Sequence, residues 1–284
     1  MIRTVIQAGF GNQLFQYATG YALSQKLGQD LELDVSFFGY QAKLAPSNLR
    51  VCMLDKLNIE DVRYVDSPST YWQYKLKSKL PFCVPSVVNG KLVPLICEDI
   101  RNCRMDQSHL FSKVIDDGAC LFGFWQNTIY FEPYLADIRK QFVPNYGISQ
   151  EVIELLRKIE DSNSVGVHIR RGDFVGLGWN KGASYYQEGM DSLKQRFENV
   201  HFFIVSDDVK WTTAQFGNCT DVTIIDVKTP TKDVDEFYLL SSCHHQIISE
   251  STFGWWAAYL NPYEDRVVIC PEDAKGDVFK RIRQ

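Results

Sequence analysis

Apolar runs and amphipathic patterns alternate through the second half of this 284-residue chain, and that alternation restricts the fold more than any other feature. The runs at 164–169, 201–206, 222–226, 245–249 and 266–270 read as strands, and helical spacing separates them over 184–197, 208–216, 234–243 and 251–260. Each crossover between parallel strands lays a helix on the sheet, so such a chain folds as a parallel sheet covered on both faces. The N-terminus repeats the plan. "RTVIQ" reads as a strand and "AGFGN" as a tight turn; Leu14, Ala18, Tyr21 and Ala22 then fall at helical spacing up to a stop at Gly28, and "DLELDV" is the next strand. Residues 40–120, punctuated by Pro46, Pro68, Pro81, Pro85 and Pro94, give no regular assignment. "GACLFGFWQN" reads as a buried strand and "YFEPYLADIRKQF" as the helix after it. "VPNYGIS", 143–149, is a linker whose Ser149 caps the helix "QEVIELLRKIED". The expected architecture is α/β: two Rossmann-like domains, 1–146 and 147–284, facing a cleft.

Composition removes several function classes. The net charge of −5 argues against nucleic-acid binding by a basic surface, while leaving room for a local basic pocket. The eight cysteines, at 52, 83, 97, 103, 120, 219, 243 and 270, contain no Cys-x-x-Cys pair, so a reduced cytosolic thiol set is expected rather than a zinc ribbon or disulfide framework. Asn218-Cys219-Thr220 matches a glycosylation acceptor, a pattern common by chance. "MIRTVIQAGFG" lacks the apolar core of a signal peptide, and no run of 18 apolar residues exists. The expected location is cytoplasmic. The basic ending "FKRIRQ" leaves room for peripheral contact with the inner face of the membrane, although a solvated tail is the plainer reading. Aromatics at 13% suit sugar stacking but first of all suit core packing.

In open parallel sheets, ligands bind at the carboxyl ends of the strands. There the second half places His168-Ile169-Arg170-Arg171-Gly172-Asp173, then Ser206-Asp207-Asp208, then Ser249-Glu250-Ser251-Thr252-Phe253. Guanidinium forks match phosphate oxygens and stay charged. An isolated Arg-Arg is more often a structural ion pair, but a strand end reverses those odds. Ser251 and Thr252 open a helix, where hydroxyls and free N–H groups receive anions or simply cap. Asp233-Val234-Asp235 has the Asp-x-Asp spacing of metal-dependent sugar transferases, yet it precedes a helix and reads mainly as N-terminal acids favoured by the dipole. Asp235 or Glu236 could still turn toward a ligand, and a carboxylate suits guanine. Gly9 and Gly11 begin a dinucleotide fingerprint that Leu14 spoils at its third position, so NAD is disfavoured. His244-His245 lacks metal-ligand spacing, and no Gly-x-Ser-x-Gly elbow exists.

Together, "GFGNQLFQYATGYALSQKLG", "VGVHIRRGD", "FFIVSDD" and "LLSSCHHQIISESTFGWWAAYL" resemble the bacterial α-1,2-fucosyltransferases of glycosyltransferase family 11, over residues 9–260. The resemblance implies a GT-B architecture, a GDP-fucose donor, and a galactose-terminated oligosaccharide accepting fucose at its 2-hydroxyl. It also implies inversion at the anomeric carbon, no metal and no cofactor. By the resemblance, Arg170 and Arg171 neutralise the diphosphate, His168 lies near the nucleotide, and Ser251, Thr252 and Phe253 close over the phosphates. Gly11 and Asn12 face the donor, and Glu236 stands where relatives usually carry Asp. Glu250 replaces a common Asn, and Gly254 a common Ser. Asp207 and Asp235 complete the expected donor set. Asp173 is the candidate base or else only orients an arginine, and Asp34 and Gln126 are the candidate acceptor contacts. Competing readings are another metal-independent GT-B transferase with a different nucleotide sugar, and a glycan- or integrin-binding protein using Arg171-Gly172-Asp173. A strand-end position without a secretion signal argues against the latter.

Overall fold

A computed structural model describes residues 1–45, 49–66, 68–80, 85–114, 118–274 and 277–282. Pro46, Pro81, Cys83 and the last two residues of the basic ending lie outside the described residues. The chain divides into two compact units, Met1–Val143 and Pro144–Gln284.

The first unit runs β1 (Ile2–Val5), α1 (Phe10–Leu27), β2 (Leu31–Asp34), α2 (Ser36–Leu44), β3 (Val62–Val65), α3 (Pro68–Lys77), β4 (Pro85–Val88), β5 (Lys91–Cys97), β6 (Ala119–Phe122) and α4 (Leu135–Gln141). Its sheet has the order β3-β2-β1-β6-β5-β4, parallel except for the β4–β5 hairpin. The unassigned stretch thus supplies two helices, an edge strand and a hairpin. The expected strand at "GACLFGFWQN" stops at Phe122, because the backbone turns at Gly123 and Trp125 adopts a left-handed φ of 55°.

The second unit runs α5 (Gln150–Glu160), β7 (Asn163–Ile169), α6 (Gly172–Leu177), α7 (Ala183–Arg196), β8 (Val200–Ser206), α8 (Val209–Phe216), β9 (Val222–Ile225), α9 (Lys232–Ser242), β10 (His245–Ile248), α10 (Thr252–Leu260), β11 (Val268–Ile269) and α11 (Asp277–Ile282). Its sheet is wholly parallel in the order β11-β10-β7-β8-β9. Ser149 accepts from the Val152 N–H, the cap expected for α5. On one face, Val165, Val167, Ile169, Phe202, Ile204 and Ile247 pack against Tyr186, Met190 and Leu193 of α7. Burying each such side chain contributes about 1.5–3 kcal/mol. Strand β11 keeps only two of the five residues expected for it. The described cysteines are free thiols. Among the described residues, no helix is long and apolar enough to cross a membrane.

Candidate functional site

The parallel pairing of β7 with β10 joins two segments that lie 80 residues apart in the chain. His168 is in register with Ile248, and the Ser249 N–H donates to the His168 carbonyl at 3.2 Å. The basic strand end and the serine-threonine helix start are therefore neighbours.

His168 sits under this junction. Its Nδ1 lies 3.0 Å from Ser249 Oγ, and the Phe253 ring stacks on it at 5.1 Å between centroids. Burial, and then the Arg170 charge, push its pKa down to about 3, so the imidazole is neutral. Phe253 in turn meets Phe237 of α9 edge-on at 5.5 Å. Ser251 caps α10 by accepting from the Phe253 N–H, and Thr252 begins the helix.

The strand ends at Ile169, so the two arginines diverge at a turn rather than alternate along a strand. Arg170 donates to Asp173 Oδ1 at 2.7 and 3.1 Å, and its Nη1 lies 3.0 Å from Asp207 Oδ2. Arg171 donates to Asp208 Oδ2 at 3.1 Å, and its guanidinium lies 4.0 Å from the Trp211 ring centroid. Asp207 also accepts from the Arg171 N–H at 2.7 Å, and Asp208 caps α8. Adjacent strand ends thus fix two cations side by side, each still partly open to solvent.

Asp235 and Glu236 lie in the first turns of α9, both buried. Asp235 accepts from Tyr146 at 2.7 Å and from Thr231 at 2.9 Å, and also from Thr229. Glu236 lies 3.3 Å from Lys232, and burial pushes its carboxyl up to about 7.

The first-unit residues gather at the carboxyl ends of their own sheet. Gly11 and Asn12 occupy the first turn of α1, and Asn12 Oδ1 accepts from Gln126 Nε2 at 2.7 Å. Gln126 Oε1 accepts from Arg104 at 3.1 Å. Asp34 is separate from that row: it is buried and accepts from the Ser36 N–H at 3.0 Å and the Tyr74 hydroxyl at 2.9 Å.

Comparison with known proteins gives these constellations a context. The profile of glycosyl transferase family 11 matches residues 97–282. An alpha-1,2-colitosyltransferase of Escherichia coli is 33% identical over 94% of this chain and 89% of its own length. The chain belongs to glycosyl transferase family 11. The O-antigen biosynthesis glycosyltransferase WbnK of Escherichia coli is 25% identical, covering 94% of this chain and 92% of the relative. Among solved structures, POFUT1 in complex with GDP-fucose superposes with a TM-score of 0.54 at 11% identity, over 95% of this chain and 97% of that one. An Arabidopsis thaliana FUT1 variant in complex with GDP gives 0.53 at 14% identity, over 96% and 71%. The fold is of the GT-B type.

The family 11 chain is a glycosyltransferase, which displaces the adhesion reading. Arg171 and Asp173 flank the start of α6 and are engaged by Asp208 and Arg170. Residues of these constellations that the sequence does not single out are Trp211, Lys232, Arg104 and Glu98. Trp211 has a signal, since it stands three residues after Asp208 of the strand-end set. Lys232 had only its i, i+4 spacing to Glu236.

Proposed function

We propose that this enzyme transfers L-fucose from GDP-fucose to the 2-hydroxyl of a terminal galactoside, with inversion and without a metal ion. The observation that carries the reading is the junction of β7 and β10, which sets Arg170 and Arg171 beside the capped start of α10. Cleavage of the sugar–phosphate bond builds negative charge on the β-phosphate. The guanidinium groups of Arg170 and Arg171 receive that charge, together with the α10 N–H groups and the hydroxyls of Ser251 and Thr252. Their carboxylate partners hold the forks in place before the nucleotide arrives, so little reorganisation accompanies bond breaking. His168, neutral and wedged between Ser249 and Phe253, supports the floor of the site.

In this reading Glu236 accepts from N1–H and the 2-amino group of guanine, while Asp235 braces the 229–231 turn beside it. The main chain of Gly11 and Asn12 faces the donor. Asp173, anchored to Arg170 through Oδ1 and with its side chain 55% exposed, takes the proton of the attacking hydroxyl. Acceptor recognition belongs to Gln126 of the first unit, whereas Asp34, expected beside it, is buried and already held by Ser36 and Tyr74. A second donor has a specific observation behind it. The 33% identical relative is a colitosyltransferase, and colitose is fucose without its 3-hydroxyl.

The test incubates the purified protein with GDP-fucose and lactose, with and without EDTA, and with GDP-colitose in parallel. Equal formation of GDP and a 2'-fucosylated product in both fucose tubes supports the reading. Turnover of GDP-colitose alone gives the second reading, and loss of activity in EDTA contradicts the metal-free mechanism.

A further inference from the structure

Glu98 lies directly after β5 in "KLVPLICED", with a buried carboxylate. Its hydrogen-bond partners are main-chain groups. Oε2 accepts from the Phe124 N–H at 2.6 Å, and the Trp125 N–H lies 2.9 Å from Oε2 and 3.0 Å from Oε1. Its own N–H donates to the Phe122 carbonyl at 3.0 Å. One residue thus ties down the turn that leaves β6 from both sides.

That turn is built around the carboxylate. A Cβ added at Gly123 would lie 2.5 Å from Glu98 Cβ and 2.7 Å from Oε2, so any side chain there would displace it. Trp125 holds a left-handed φ of 55°, which L-residues with large side chains rarely adopt. Its indole is fully buried against Phe111 and Tyr130. Next in the chain comes Gln126, which bridges Asn12 and Arg104, and Asn127 donates back to the Arg104 carbonyl at 3.3 Å. The result is a row of amide and guanidinium groups, Asn12–Gln126–Arg104, at the carboxyl ends of β1 and β6. Such ends are where α/β sheets receive ligands, and a row of amide and guanidinium donors and acceptors suits sugar hydroxyls.

A carboxylate is a costly way to tie a turn. Burial pushes its pKa up to about 7 against the pull of the two N–H groups. A glutamine could satisfy the same N–H groups without burying a charge. What the charge adds is stronger, shorter hydrogen bonds and a more rigid turn.

We propose that Glu98 is a positioning residue for the acceptor sugar, fixing the 123–127 turn so that Gln126 and Arg104 meet the acceptor's hydroxyl groups as one ledge. The inference rests on the reading that Gln126 serves the acceptor side. Its consequences fall mainly on acceptor binding, because Glu98 acts through the first-unit turn and Gln126, while Asn12 meets that row with its side chain and the other donor side chains lie in the second unit.

The test compares wild type with Glu98→Gln, Glu98→Ala and Arg104→Ala. It measures KM for lactose, KM for GDP-fucose, GDP affinity by calorimetry and the melting temperature of each. The expected result is a rise in acceptor KM of roughly tenfold in Glu98→Ala and Arg104→Ala, about the loss of one charge-assisted hydrogen bond. Glu98→Gln gives a smaller rise, and GDP affinity and donor KM stay within about twofold. Should Glu98→Ala fail to fold, Glu98→Gln and Arg104→Ala carry the test. An unchanged acceptor KM in the folded variants, or equal rises in both KM values, overturns the inference. A wild type that binds GDP yet never fucosylates lactose points instead at the acceptor or donor assignment above.

Discussion

Adding one methyl group at Gly254 tests how tightly the nucleotide side of the site is assembled. A Cβ there would lie 2.7 Å from His168 Nδ1, 3.0 Å from Cγ and 3.1 Å from Cβ. Ordinary carbon contacts begin near 3.5 Å, so the imidazole must retreat by roughly half an ångström or more. It has little freedom to do so, since His168 is buried, held by Ser249 and covered by Phe253. Overpacking of this kind costs about 1–3 kcal/mol, and a weakened His168–Ser249 bond adds about 1. The better helix propensity of alanine returns about 1. The net loss is about 2 kcal/mol, which lowers the melting temperature by roughly 4–8 °C in a chain of this size. The displaced Phe253 also lowers GDP affinity by roughly tenfold. Differential scanning fluorimetry and calorimetry on Gly254→Ala read both effects, with Gly147→Ala, which meets nothing within 4 Å, as the control. A melting temperature within about 1 °C of wild type and unchanged GDP affinity would refute the packing argument.

Arg170→Ala is expected to lower kcat by about 10²–10³, the usual effect of removing one donor to a developing anion. Its melting temperature should hardly change, because both carboxylate partners are solvent-exposed enough to stand alone; retained turnover in a folded variant removes this arginine from the mechanism. Arg171→Lys keeps the charge but loses the guanidinium seated over the Trp211 ring, and GDP titration should show affinity down by roughly tenfold. Acid titration separates buried groups by sign. His168, held near 3, sheds stability as pH falls from its unfolded value of 6.5, because only the unfolded chain then takes up the proton. Glu98, raised to about 7, does the reverse: between pH 7 and 4.5 the folded chain holds a proton that the unfolded chain has lost. Guanidinium unfolding at pH 7, 6 and 5 should therefore show Glu98→Gln losing stability on acidification more steeply than wild type, by ~1.4 kcal/mol per pH unit. Parallel slopes would contradict the burial of that charge.

The second-unit strands were legible because each is a short apolar run closed by polar residues, and a parallel sheet buries both faces of such runs. The nearness of "HIRRGD" to "SESTF" followed from the same rule, since both segments leave the carboxyl ends of strands. The first unit was less legible. Its hairpin had the strongest local signal available, Asn89-Gly90 between "PSVV" and "KLVPL", and both residues adopt positive φ, 49° and 77°. The surrounding prolines obscured it, although a hairpin at a sheet edge tolerates them. The apolar run "GACLFGFWQN" extends five residues past the end of β6 at Phe122, because the residue that stops the strand is Glu98, distant in sequence, taking hydrogen bonds from Phe124 and Trp125. Asp34 reads as a strand-end carboxylate. Only the fold shows that Tyr74 and Ser36 already occupy it.

Hydrogen–deuterium exchange with and without GDP tests the central claim most directly. The account predicts that saturating GDP slows exchange in peptides covering 168–173 and 249–253 together, and that Arg170→Ala weakens both effects. Protection confined to other segments, with these two unchanged at saturation, would contradict it.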